Sequence, residues 1–147
     1  MYTKNYKFKY LEWFTPEEIH ETTLQWQSTL DFIAHEHDFL DELLSQAQPH
    51  VNDAATLERM TDLITQLSKN KQEVSTLTSL FVKHRNALEV LVDGVNELQK
   101  EKAFKDQHLL LSLKFETFNT SYRQLKYKVF DVLRTFYKNR KQNTLLK

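Results

Sequence analysis

The chain of 147 residues contains no cysteine, one glycine and two prolines, and its 20 basic and 20 acidic side chains cancel. Each shortage excludes something. Without cysteine there is no disulfide framework, no thiolate metal site and no thiol nucleophile. With Gly94 as its only glycine, the chain cannot build a glycine-rich phosphate loop. Strands joined by tight turns need glycine, proline and asparagine at short intervals, and that punctuation is nearly absent. Zero net charge removes any global field that would steer the protein toward nucleic acid or an anionic bilayer. Long apolar runs are also missing: the richest, Leu109 to Leu113, is interrupted by Ser112 and is far too short to span a membrane. The first ten residues, MYTKNYKFKY, lack the apolar segment of a secretory signal. The expectation is a cytoplasmic protein with no membrane partner.

What is present is helical periodicity. In Phe14-Thr15-Pro16-Glu17-Glu18-Ile19, Thr15 can cap free amides and Glu18 can reach back to complete a capping box, while Pro16 suits the first helical position. Phe14 and Ile19 stand where a hydrophobic staple requires them. A first helix is expected over 16–47. Its seam, Ile19, Thr23, Trp26, Leu30, Ile33, His37, Leu40, Leu44 and Ala47, alternates three and four apart until Pro49 stops it.

Asn52 or Asp53 can cap a second helix, expected over 53–100, with a seam of Leu57, Met60, Ile64, Leu67, Lys71, Val74, Thr78, Phe81, Arg85, Leu88, Val92 and Val95. The polar stretch SKNKQE, residues 68–73, is its weak point, since Asn70 and Glu73 could cap a new helix. The seam keeps its phase through that stretch, which favours one long helix with Gly94 inside it, at a cost of about 1 kcal/mol relative to alanine. A third helix is expected over 104–140 after a reversal near 101–105, with Phe104, His108, Leu111, Phe115, Phe118, Tyr122, Leu125, Val129, Val132 and Phe136 as its seam. The fold class is therefore all-α: one domain, an antiparallel three-helix bundle with long coiled-coil-like helices, or a four-helix bundle if 68–73 form a turn. Residues 1–14 read as an extended arm with Tyr6, Phe8 and Tyr10 on one face, long enough to cover the apolar LEVLV and HLLLSL stretches. The pattern resembles a spectrin-type three-helix repeat in placing a tryptophan on its first helix. The long second helix departs from that repeat, and no function is carried over from it.

Charge is segregated although the total is zero. Residues 1–11 sum to +3, and residues 12–58 carry eleven acids and no lysine or arginine. Residues 59–113 sum to +1 and residues 114–147 to +7. On the last helix Arg123, Lys126, Arg134, Lys138 and Lys141 form a stripe with Tyr127 and Phe130, a candidate surface for phosphate backbone and stacked bases. The competing reading is a solvated face that balances the acidic first helix.

Catalytic chemistry finds little support. Among the six histidines, only Glu17 and His20 have the Glu-x-x-His spacing of di-iron bundles, and neither is on a seam. His37 and His108 are on seams, no carboxylate shares a seam with them, and axial alignment separates them. They read as core or register residues, or less readily as ligands of a metal-binding bundle enzyme. Asp41 and Glu42 are adjacent and so diverge around a helix, and the serines lack a strained turn. Trp13 and Trp26 read as structural. No catalytic residue, metal or cofactor is expected.

A second apolar stripe on the first helix remains, formed by Phe32, Phe39 and Leu43. At 1.5 Å per residue the helices would span roughly 48, 72 and 55 Å, so the third would stop short of the first hairpin. Phe32, Phe39, Leu43, Leu57 and Leu63 would then need a cover, and a second copy about a twofold axis would supply it. The expected function is a non-catalytic interaction or structural module that forms a homodimer through this surface. The alternative is a polyanion- or nucleic-acid-binding adaptor that uses the basic stripe.

Overall fold

A computed structural model describes residues 15–93 and 98–146, the side chains of residues 93 and 144–146 excepted. Three helices pack against each other with no strand among the described residues: α1 (Pro16–Ala47), α2 (Ala54–Asp93) and α3 (Leu98–Leu146). The arm of residues 1–14, with Trp13 and the Phe14 half of the staple, lies outside the described residues, as do Gly94 and Val95.

The start of α1 follows from its sequence. Thr15 N–H donates to Glu18 Oε1 at 3.3 Å and Glu18 N–H to Thr15 Oγ1 at 3.1 Å, which is the reciprocal capping box. Pro49 falls in a single 3-10 turn, Gln48–His50, where α1 ends. Asp53 Oδ2 then accepts from Thr56 N–H at 2.9 Å and caps α2, while Gln48 Nε2 ties the turn to Thr61 Oγ1.

Residues 68–73 are continuous α-helix, so the four-helix alternative is excluded. The third helix begins at Leu98, six residues before the expected 104, and at 49 residues it is the longest, against 40 for α2. It also reaches the α1–α2 turn: Phe136, Asn139 and Arg140 line one open groove with Pro49, His50 and Asp53. The expected shortfall of the third helix at that turn does not occur.

The seams of α1 and α3 are buried throughout as their periodicity predicts. The seam of α2 is not the predicted one. Buried residues step three then four along Met60, Leu63, Leu67, Asn70, Val74, Leu77, Phe81, His84 and Leu88. The predicted seam steps four then three from Met60, shares alternate members and places Ile64, Lys71, Thr78 and Arg85 inside. The observed phase spares the burial of two cations, which costs several kcal/mol each when unpaired. It also buries Leu77 in place of Thr78, and takes in two neutral polar side chains, Asn70 and His84, that find partners.

Contacts sort into two compact units, one drawing on Met1–Phe32 and Ser75–Thr117, the other on Ile33–Val74 and Phe118–Lys147. In the first unit, Ile19, Leu88 and Phe104 pack together against Leu91 and Val92. Trp26 there stacks on His108 and Phe115 and meets Phe81 at a tilt, all with ring centroids within 6 Å. In the second unit, Leu40, Leu44, Met60, Leu63, Val129 and Val132 are almost fully buried. Each such aliphatic side chain contributes about 1.5–3 kcal/mol.

Candidate functional site

The buried polar residues are the first place to look for chemistry, because interior polar groups need partners and interior acids and bases shift their titration. In the first unit His84 Nε2 lies 2.9 Å from His108 Nδ1, with the two rings 13° from parallel. Phe104 stacks on His84 at 4.4 Å and Trp26 on His108 at 5.1 Å. His84 Nδ1 has no hydrogen-bond partner. The tautomer that avoids an unpaired buried N–H places the His84 proton on Nε2, donating to His108 Nδ1, and the His108 proton on Nε2. Burial pushes both imidazoles down to about 4, and for His84 the neighbouring His108 charge adds to the effect. Both are therefore neutral at physiological pH.

Glu101, seven residues before His108 and on the same face of α3, is also buried. It is a seam carboxylate that lies ahead of the expected helix start at 104 and within the observed one. Even so, no three histidine, aspartate or glutamate side chains among the described residues gather closely enough to hold a metal ion. The histidine pair lies beneath the surface among aromatic rings, so no substrate can reach it without opening the core.

In the second unit His37 Nε2 donates to Asn70 Oδ1 at 2.7 Å, and Tyr122 meets the His37 ring edge-on at 5.2 Å. Burial lowers the His37 pKa, an effect the Asn70 bond opposes. Tyr122 donates its hydroxyl to Glu36 Oε1 at 2.8 Å, and Lys126 Nζ reaches the same carboxylate at 3.1 Å. Burial, with that carboxylate beside it, pushes the Tyr122 phenol far above its ordinary range. Asn70 and His84 were missed because both lie one residue from the predicted α2 seam. The signal that would have found them is the cost of burying Lys71 and Arg85. Both instead sit at the rim, Lys71 paired with Asp38 at 2.7 Å and Arg85 bonded to Gln27 at 3.1 Å.

The predicted self-association surface divides. Phe32 and Phe39 are exposed at 62% and 56%, and Leu43 is half-buried. Leu63 is a core residue at 2% exposure, because it occupies the observed α2 seam. Leu57 is exposed but stands two heptads before Lys71, on the side of α2 that faces Asp38. It therefore borders the α1–α2 groove, whereas Phe39 and Leu43 stand three and seven residues after Glu36, on the side of α1 that meets α3.

The predicted basic stripe also divides. Lys126 is half-buried and held by Glu36, and Arg134 approaches Asp131 at 3.4 Å, where Arg59 already binds at 2.9 Å. Arg123, Lys138 and Lys141 are exposed. Tyr127, Phe130 and Tyr137, interleaved with these cations, are also exposed, with Tyr127 the most open at 73%. A shallow cleft of about 90 Å³ lies among Tyr127, Phe130, Asp131 and Arg134. No helix among the described residues is long and apolar enough to cross a membrane. Comparisons with protein-family models, with curated proteins and with solved structures find no match. The likeness to a spectrin-type repeat thus rests on the sequence pattern alone.

Proposed function

We propose that this chain is a non-catalytic interaction module of the cytoplasm that works as a homodimer. The observation that carries the reading is the set of aromatic side chains on the outside of the second unit: Phe39 on α1, and Tyr127, Phe130 and Tyr137 on α3. Aromatic residues with arginine among them are the composition of interface cores, and leaving several in water on long rigid helices is costly unless they are covered. Among the described residues the titratable groups with strongly shifted pKa values, by contrast, are interior, which suits a scaffold better than an active site. Light scattering and sedimentation velocity test the reading. The protein is expected to be a dimer at micromolar concentration, and Phe39→Glu to shift it toward monomer. A monomer at every accessible concentration overturns it.

Exposed Arg123, Lys138 and Lys141 beside Tyr127 and Phe130 favour a second reading, a polyanion-binding surface. Lys126 and Arg134 already lie against acids of their own chain, which places it second. Its test is a gel-shift titration with single- and double-stranded oligonucleotides at two salt concentrations. Binding through this stripe would weaken steeply with salt and lose about one unit of salt slope in Arg123→Ala.

A further inference from the structure

The geometry points to one pairing within the proposed dimer: the acidic α1 edge of the second unit docks on the aromatic, basic α3 edge of a second copy, twice, about a twofold axis. This inference rests on the self-association proposed above and names the surface and its arrangement. It starts from Glu36, which bonds both Tyr122 and Lys126 and so fixes which side of α1 meets which side of α3. Phe39 and Leu43 follow Glu36 by three and seven residues and border that contact from α1. On α3, Arg123 precedes Lys126 by three residues and Phe130 follows by four, so they border it from the other side. One step further outward, Tyr127, Arg134 and Lys141 continue the same face at a spacing of seven. The His37–Tyr122 ring contact puts these two borders at the same height. Together they form one continuous edge, apolar at its centre and charged at its rim.

Charge decides what covers this edge. At this edge α1 presents Glu42 beside Phe39 and Leu43, with Glu36 beneath them and no lysine or arginine, since Asp38 lies on the other side against Lys71, whereas α3 presents Arg123, Arg134 and Lys141. Pairing α3 with α3 would set like charges face to face, as would α1 with α1. A twofold axis that lays α1 of one copy on α3 of the other matches opposite charges at both contacts and buries the aromatics between them. An isologous contact of this kind closes after two copies and does not propagate into a filament.

Charge reversal on each edge tests the pairing. One variant, Arg123→Glu with Arg134→Glu and Lys141→Glu, makes the α3 edge acidic, and another, Glu42→Lys with Gln46→Lys, makes the α1 edge basic. Each alone is expected to be monomeric by sedimentation velocity, with helical circular dichroism retained. An equimolar mixture is expected to restore a dimer, because both contacts in the mixed pair join opposite charges. Because the native chain has no cysteine, Gln46→Cys and Tyr137→Cys singly introduced and mixed should form a crossed disulfide under mild oxidation, which checks the pairing in proteins of native charge. A wild-type dimer that persists in both charge variants and yields no crossed disulfide overturns this pairing and leaves self-association standing through another face. A wild-type monomer overturns both.

Discussion

His84 Nε2 donates to His108 Nδ1 across 2.9 Å, and an aromatic ring stacks on each imidazole. The folded-state pKa of each is about 4, below the ordinary 6.5, so between these values the unfolded chain binds more protons. Stability is therefore full above about pH 6.5 and falls as the pH drops toward 4, by up to about 3 kcal/mol per histidine. Asp38, Asp53 and Asp131, held below the ordinary 3.8 by their hydrogen bonds, lose their contribution in a lower window. Urea denaturation at pH 7.5 and 4.5 measures the effect. His84→Leu combined with His108→Phe should remove most of the difference and leave the smaller share from His37. An unchanged difference in that variant would show that the pair does not set it.

Asn70 is the acceptor for a buried N–H, and Asn70→Ala leaves His37 Nε2 without a partner. The expected loss is about 2 kcal/mol, read from the shift in the urea midpoint. Its neighbour Lys71 holds an exposed pair with Asp38, and Lys71→Ala should leave the midpoint nearly where it was. Equal effects at the two positions would contradict the observed phase of α2.

Leu63 and Ile64 make the same comparison with apolar side chains. Leu63 is 2% exposed and Ile64 half-buried. Leu63→Ala should cost about 2–5 kcal/mol, with Ile64→Ala well below it. Thermal or chemical unfolding of the two variants side by side decides the matter.

At the start of α1, Thr15→Ala removes the acceptor for Glu18 N–H. A loss of about 1 kcal/mol is expected. Amide hydrogen exchange should show it as faster exchange confined to the first turn of α1.

Most of the architecture was legible because the signals were local. The Thr15–Glu18 box, the Pro49 stop and the Asp53 cap each lie within a few residues of the groups they satisfy, so spacing alone finds them. The α1 and α3 seams were legible because apolar side chains outnumber polar ones at their positions. The α2 seam was not, since Leu63 and Ile64 compete on nearly equal terms and a three-then-four pattern differs from a four-then-three one by a single residue. The candidate surface suffered from the same slip, with Leu63 assigned outside and Leu57 placed beside Phe39.

By itself the sequence determined the class: a chain with one glycine, two prolines and no cysteine, written in three-four periodicity, has long helices and little else available to it. It also determined that charge is divided between an acidic first helix and a basic last one. Only the tertiary structure decided which side of each helix faces which neighbour, because rotation of a helix about its axis is set by contacts from other helices. That rotation buried Asn70 against His37 and His84 against His108, and committed Lys126 to Glu36. It also left Phe39 and Phe130 facing outward, on either side of that ion pair.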